Sequence, residues 1–438
     1  MGIATGLFEY VWIKFATVHN QTGHLLGLAN KLMVAALYAL LFVIFGRWLH
    51  AFKIGVERKA KVMAGVALTV FITNCVEIFL SMAITGQYRF FDEFLWRYTL
   101  LAIIQSIILS LLVIVMINLY RKIIPPLRLI EITGERHNKL ANNLNSIKTK
   151  YQIIGSIPYV TSKKELEEAI KTSDAVLIND IPAREQNDIV KLCYGRNKRI
   201  YVAPKISDII LKASENLNVV DTPLFLSRNQ PMKIRQRILK RLFDISASFL
   251  AIILLSPILL ITAIAIKLDD HGPVFFRQER ITRDNQKFII LKFRSMIVDA
   301  EKDGKPHPVG EKDDRITRVG RVIRACRIDE LPQLWNILHG EMSIVGPRPE
   351  RVEHVEKYSS EIPEFNFRHK VKGGLTGYAQ VYGKYNTSAL DKLKLDLIYI
   401  ANYSFIMDIQ IIFETIKILL LRDSTEGFND EMVREIHG

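Results

Sequence analysis

The chain has 438 residues, 49% of them hydrophobic and 24% charged, with 59 Lys and Arg against 45 Asp and Glu, a net charge of +14. That length predicts two or three folded units; the apolar fraction excludes disorder and the charge excludes an acidic solvating chain. The positive surplus leaves nucleic acid and anionic membrane open as partners. Divided at residues 125 and 230, it spreads as about +6, +4 and +4 with no dense basic stripe. Zinc-finger spacing and RNP-type aromatic runs are missing, so no nucleic-acid partner is expected. Cys75, Cys193 and Cys326 stand far apart, which fits reduced, cytosol-facing domains without a disulfide framework or zinc site. The first twenty residues do not read as a signal peptide: Glu9 and Lys14 interrupt the apolar stretch, and no small-residue cleavage site precedes His24.

The first block, 1–125, contains apolar runs at 25–49, 62–85 and 98–120, each long enough to cross a hydrocarbon core of ~30 Å as a helix. Buried helices of a soluble domain are the alternative, but three such runs joined by short polar links argue for membrane spans. Glu77, the one carboxylate within a span, is expected to face other helices. The first link carries Arg47, Lys53, Arg58, Lys59 and Lys61. The second nearly cancels, with Arg89 and Arg97 against Asp92 and Glu93. Arg121, Lys122 and Arg128 follow the third run. The positive-inside rule places the first link and everything after Arg121 in the cytoplasm, with the N-terminus outside. A fourth, weaker segment at 5–18 would reverse that end only.

Residues 126–230 change character. Apolar runs at 127–132, 152–157, 174–178 and 199–203 alternate with helix-compatible stretches at 162–172 and 184–194, which predicts a Rossmann-like α/β domain with a parallel sheet. Thr133-Gly134-Glu135-Arg136 offers one glycine where a dinucleotide fingerprint needs three. Tyr159 with Lys163 and Tyr201 with Lys205 fit a Tyr-x-x-x-Lys dehydrogenase spacing, a two-residue pattern that arises by chance. A structural or regulatory role is therefore expected, with an NAD-dependent site as the competitor.

The run at 245–266 is interrupted by Ser256-Pro257. Length alone says transmembrane helix. Basic residues flank both ends, however: Lys233, Arg235, Arg237, Lys240 and Arg241 before, Lys267, Arg277, Arg280 and Arg283 after. A crossing helix shows asymmetry, and proline bends or breaks a helix. The expectation is a re-entrant helix broken at Ser256 and Pro257, with the Ser256 hydroxyl occupying a freed carbonyl.

The last block, 231–425, carries the densest polar signal. Residues 287–296 alternate apolar with basic, predicting a strand that presents Lys292 and Arg294 on one face. Asp329-Glu330 follows Arg324 and Arg327 and precedes Arg348, which lies in Gly346-Pro347-Arg348-Pro349. Arginines keep neighbouring carboxylates ionised and their forks suit phosphate. Two such carboxylates hold Mg²⁺ against phosphate oxygens or offer a nucleophile to phosphorus. A surface salt-bridge cluster is the bland reading, and the two prolines that fix Arg348 on a rigid turn argue against it.

Stretches 240–244, 256–257, 272–280, 292–296, 329–336, 340–349, 374–380 and 395–408, nearly all of 238–422, make the last block resemble the bacterial polyprenyl-phosphate hexose-1-phosphate transferases. These enzymes initiate exopolysaccharide, capsule and O-antigen synthesis, and the block order resembles their large members. The resemblance implies a membrane helical bundle, a Rossmann-like α/β module and a monotopic α/β catalytic domain with a re-entrant broken helix, located at the cytoplasmic face of the bacterial inner membrane. It implies transfer of a hexose-1-phosphate from a UDP-sugar to polyprenyl (undecaprenyl) phosphate, with Mg²⁺ and release of UMP. Asp329 becomes the nucleophile and Glu330 its partner as magnesium ligand or base. Arg324, Arg348, Lys292 and Arg294 become phosphate ligands, and Gln380 and Asp396 pocket residues. A homodimer follows the large members.

The sequence departs from the family pattern at Thr282 (usually glycine), Gly373 (usually proline) and Tyr378 (usually tryptophan), and has three clear N-terminal spans where four are typical. The helix at 405–421, with Asp408, Gln410, Glu414 and Lys417 to one side, is expected to lie in the headgroup plane, with a core helix as the alternative, and 426–438 to form a polar tail. An NAD-dependent nucleotide-sugar-modifying enzyme and a non-catalytic assembly scaffold are the competing functions.

Overall fold

A computed structural model of the protein describes residues 1–19, 27–55, 57, 59–86, 88–134, 140–145, 147, 150–227, 231–298, 300, 313–383 and 387–419. Arg58, Glu135, Arg136 and the expected tail lie outside these residues. Two compact units divide between Lys205 and Ile206.

The first unit begins with α1 (Gly2–His19), α2 (Leu28–Trp48), α3 (Lys59–Thr85) and α4 (Phe91–Ile123). Helices α2 to α4 are long and apolar enough to cross a membrane, as the runs predict. The weak segment at 5–18 is a fourth helix of the bundle. Phe8 stacks on Tyr38 at 4.2 Å and Phe15 packs tilted against Phe94 at 4.3 Å, so Glu9 and Lys14 interrupt its apolar content without preventing packing. Glu77 is wholly buried among the helices, as its place in the span predicts.

The chain continues through β1 (Leu127–Thr133), α5 (Leu140–Asn145), β2 (Tyr151–Pro158), α6 (Lys163–Thr172), β3 (Ala175–Asn179), α7 (Ala183–Gly195) and β4 (Arg199–Val202). The four strands form a parallel sheet in the order β2-β1-β3-β4. Alternate residues face two helical layers: Ile130, Ile132, Val176 and Ile178 pack with Leu166, Ile170 and Ile189, and Leu129, Ala175 and Leu177 with Leu140 and Leu144. Burial on both faces is what makes these strands near-continuous apolar runs. Ser162 caps α6 by accepting from the Glu165 amide.

The second unit opens with α8 (Ile206–Lys212) and the antiparallel hairpin β5 (Glu215–Val219) and β6 (Thr222–Leu226). Ile209 joins the core that holds Leu393, Leu397 and Phe365, so this stretch, expected with the middle block, packs with the last one. Then come α9 (Ile234–Asp270), β7 (Phe275–Ile281), β8 (Lys287–Phe293), α10 (Arg318–Ala325), α11 (Gln333–His339), β9 (Met342–Val345), α12 (Val352–Glu361), β10 (Gly373–Thr376), α13 (Tyr378–Tyr382), α14 (Ala389–Ala401) and α15 (Phe405–Leu419). Strands β7 and β8 pair antiparallel, and β9 and β10 parallel.

Helix α9 is longer than the 245–266 run and stays helical through Pro257. The expected break is therefore not an interruption of the helix. Proline removes the donor that would bond the carbonyl four residues earlier, and the Ser256 hydroxyl donates to that carbonyl, of Ile253, at 2.7 Å. Near its start, Lys240 pairs with Asp408 at 2.7 Å and Arg241 donates to the carbonyls of Ile337 and Leu338. At its end, Asp270 holds Arg294, and Asp269 accepts from the Val319 amide. Between them Ala251, Ile252, Leu259 and Ala263 touch the same unit's cores, while Leu254, Leu260 and Ile261 are more than 60% exposed.

Helix α15 corrects an expectation. Its polar side faces inward: Asp408, Glu414 and Lys417 are buried, whereas Ile406, Ile416 and Leu419 are exposed. Asp408 is drawn in by Lys240 and Tyr399, and Glu414 pairs with Lys417. Buried charges are retained when paired.

Candidate active site

The β7–β8 hairpin turns through Asp284 and Asn285, both at a φ of 57°. Its register sets Phe276 opposite Lys292, Gln278 opposite Ile290 and Arg280 opposite Phe288. Opposed residues share a face, so Gln278, Arg280, Ile290 and Lys292 point together. The free edge of β8 is held by Asn336 of α11, which accepts from the Leu291 amide at 3.0 Å and donates to the Ile289 carbonyl at 2.8 Å.

The carboxylate pair enters on a short 3-10 turn, Ile328–Glu330. Thr317 caps α10 by accepting from the Gly320 amide at 2.9 Å, and Arg327, left-handed at φ 55°, then redirects the chain. Arg348 arrives between β9 and α12. Its turn is pinned where the Gly374 amide donates to Pro347 and the Gly346 amide to Thr376, both at 2.9 Å. A Cβ on Gly374 would lie 2.1 Å from the Gly346 nitrogen, so only glycine permits this approach.

These elements converge. Lys292 Nζ lies 2.9 Å and Arg348 Nη2 2.7 Å from the same Glu330 oxygen, Oε1. Burial alone would raise the Glu330 carboxyl, but Arg348 and Lys292 outweigh it and hold it well below the carboxylate range. Burial lowers Lys292, against the pull of Glu330. Asp329 moves the other way: burial first, then Glu330, raise it above an ordinary aspartate despite Lys292, Arg324 and Arg348. The pair thus divides into a fixed anion and a carboxylate of elevated basicity. Beside them lies a small cavity lined by Arg280, Ile290, Lys292, Gln333, Arg348, Pro349 and Gly374.

Other predicted residues sit elsewhere. Arg294 lies one residue beyond β8 and is held by Asp270 and the Pro273 carbonyl rather than by Asp329 or Glu330. Asp396 is not a pocket residue: it is 1% exposed and pairs with buried Arg368 at 2.8 Å. Arg368 in turn donates to the Arg348 carbonyl at 2.9 Å, so Asp396 is linked through Arg368 to the backbone of the arginine turn. Arg324 ends α10 within electrostatic reach of Asp329. Gln380, on α13, keeps a buried side-chain oxygen without a partner. Sequence reasoning missed Arg280 and Gln333; for Arg280 the i, i+2 spacing with Gln278 on a strand was the available signal.

The departures at 282 and 373 form one feature. The Gly373 amide donates to Thr282 Oγ1 at 3.1 Å, and that hydroxyl donates to Glu341 at 2.9 Å. Proline at 373 would remove the amide proton, and glycine at 282 would remove its acceptor.

Among the described residues no group of three or more His, Cys, Asp or Glu side chains forms a metal cage. One or two carboxylates with substrate phosphates suffice for Mg²⁺. Asp329 beside Glu330, whose Oε1 is taken by two cations, fits that donor set. In the first unit, the lone glycine of the candidate nucleotide turn is spent on packing. The Gly134 amide donates to the Asn179 carbonyl at 2.9 Å, and a Cβ there would lie 1.7 Å from the Asp180 oxygen, so this glycine packs against the backbone that follows β3.

Residues 235–422 match the bacterial sugar transferase family. An undecaprenyl-phosphate glucose-1-phosphate transferase of Caulobacter vibrioides is 42% identical over 191 residues, 42% of this chain and 71% of that protein. The chain belongs to the bacterial sugar transferase family. Two larger relatives are similar over the same region. A UDP-N-acetylgalactosamine-undecaprenyl-phosphate N-acetylgalactosaminephosphotransferase of Aeromonas hydrophila is 46% identical over 42% of this chain, and a UDP-glucose:undecaprenyl-phosphate glucose-1-phosphate transferase of Klebsiella pneumoniae 43% over 48%. The matches span 44% and 45% of those two proteins, less than half of each. Within this bacterial sugar transferase, Asp329, Glu330, Lys292, Arg348 and the cavity all fall inside the matched residues.

Proposed function

We propose that the protein transfers a hexose-1-phosphate from a UDP-sugar to polyprenyl (undecaprenyl) phosphate, initiating a bacterial surface polysaccharide. The observation that carries this reading is Asp329, raised in basicity, beside a Glu330 clamped by Lys292 and Arg348 at one cavity. An Asp329 oxygen bonds the sugar-bearing phosphorus as the P–O bond to UMP breaks, and the electron pair leaves with the UMP phosphate. A polyprenyl phosphate oxygen then bonds the same phosphorus and the pair returns to Asp329, giving a polyprenyl-diphospho-sugar. Lys292 and Arg348 carry the charge on the transferred phosphate, and Glu330 fixes their positions. Arg368, braced by Asp396, holds the Arg348 turn in register. Mg²⁺, resting on Asp329 and Glu330, would neutralise phosphate charge when bound.

The same reading makes α9 re-entrant at the cytoplasmic face of the inner membrane. Both its ends and its middle touch one folded unit, which supports entry and exit on one side. With α1 counted as a fourth pass, the positive-inside rule puts the N-terminus in the cytoplasm as well. The parallel sheet serves as a Rossmann-like regulatory or dimerisation module in a homodimer. The deciding experiment is UMP release from a panel of UDP-sugars with Mg²⁺ and polyprenyl phosphate. Wild type is expected to release UMP with at least one donor and Asp329→Asn with none; no release with any donor sinks the enzyme, and an active Asp329→Asn sinks the nucleophile.

A further inference from the structure

The cavity holds a third cation besides Lys292 and Arg348. Lys292 and Arg348 close on Glu330, whereas among the described residues Arg280, which lines the same cavity, is attracted by Glu350 and Glu353 but forms no ion pair with a carboxylate. Its Nη2 donates to Gln278 Oε1 at 2.6 Å, its Nη1 reaches the Pro349 carbonyl only at 3.4 Å, and its buried Nε has no partner. A guanidinium steadied on one side by a neutral oxygen, with donors left over, is suited to an anion. The strand does not depend on that side chain, because β7 pairs along its length with β8 and the Ile281 amide donates to Glu350 at 3.2 Å.

Displacement at phosphorus proceeds in line. If Asp329 attacks from one side, the UMP phosphate leaves on the opposite side. The lipid phosphate of the second step must then approach along the line UMP vacated, so one position serves two phosphate monoesters in turn. We propose that Arg280, oriented by Gln278, forms this second phosphate subsite, shared by the departing UMP phosphate and the incoming lipid phosphate. The inference rests on Asp329 being the nucleophile of a UDP-sugar transferase.

The test uses full-length protein in nanodiscs and compares binding of UMP with that of uridine, which lacks the phosphate. Wild type is expected to prefer UMP by at least about tenfold, the size of a charge-assisted contact. Arg280→Gln is expected to lose most of that preference with uridine affinity unchanged, and Arg280→Lys to restore part of it. In turnover, UMP should compete with polyprenyl phosphate, and Arg280→Gln should raise the KM for both donor and acceptor. A preference for UMP retained in Arg280→Gln overturns the subsite, as does simultaneous binding of UMP and lipid phosphate. Equal loss of UMP and uridine also overturns it, because the residue then only shapes the cavity. Failure of wild type to bind UMP is a different result, and sinks the UDP-sugar reading itself.

Discussion

Asp329 and Glu330 are neighbours in sequence and opposites in electrostatics. Glu330 is held ionised by Arg348 and Lys292, whereas burial and Glu330 raise Asp329. The nucleophile proposed above must be deprotonated, so on that reading the rate of UMP release should fall, as pH drops, through a value above that of an ordinary aspartate. Glu330→Gln removes the neighbouring charge and frees two cations to face Asp329, so its acid limb should move to lower pH even as the maximal rate falls; a pH–rate profile of both proteins checks this. The Thr282–Gly373 hydrogen bond predicts a coupled pair. Gly373→Pro alone should cost about 1–3 kcal/mol, since a Cβ there would meet Pro349 Cγ at 2.5 Å and the Thr282 acceptor is stranded. Combined with Thr282→Gly, the loss should be smaller than the sum, a coupling readable in a double-mutant thermal-unfolding cycle. At this scale the meeting of Glu330 with Lys292 and Arg348 was legible, because carboxylates and cations clustered in one block pair when buried. Arg294 and Asp396 were not: their partners Asp270 and Arg368 lie 24 and 28 residues away, and spacing carries no information about them.

Among the elements, strand and helix runs of the parallel sheet were legible from apolar alternation, because burial on both faces writes itself into the sequence. The orientation of α15 was not, because amphipathic periodicity gives a polar side without saying which side is inward. Lys240 decides it by drawing Asp408 into the fold. Lys240→Met should therefore destabilise the unit by about 3–5 kcal/mol, leaving Asp408 buried and unpaired, whereas adding Asp408→Leu should recover much of the loss; thermal unfolding in detergent reads both. For α9 the proline was visible, but the hydroxyl that lets the helix continue could only be anticipated. Cysteines at Ile238 and Phe275 should both label from the cytoplasmic side of sealed vesicles, and labelling from opposite faces would contradict re-entry.

The whole molecule divides between Lys205 and Ile206, and composition placed that change about 25 residues too late because the β5–β6 hairpin reads as a continuation of the sheet domain. Ile209 and Met232 belong to the core that supports α14. A fragment starting at Ile206 should therefore reach membranes and release UMP, whereas one starting at residue 231 lacks Ile209 and should unfold about 2–5 kcal/mol more easily, as for a large core truncation. Equal thermal stability of the two would count against α8 as part of the catalytic core.

The two ends of α9 are fastened to the parts of the fold that carry the chemistry: Arg241 to the end of α11, and Asp269 to the start of α10, which leads into the Asp329 turn. In the re-entrant reading proposed above, the helix works as a depth gauge. Its apolar outer surface settles at the level where hydrocarbon meets water, and its two fastenings carry that level to the carboxylates as a fixed height. On the proposed function, a lipid phosphate held near the bilayer then needs no search in the vertical direction; it reaches Asp329, the proposed nucleophile, by lateral diffusion alone.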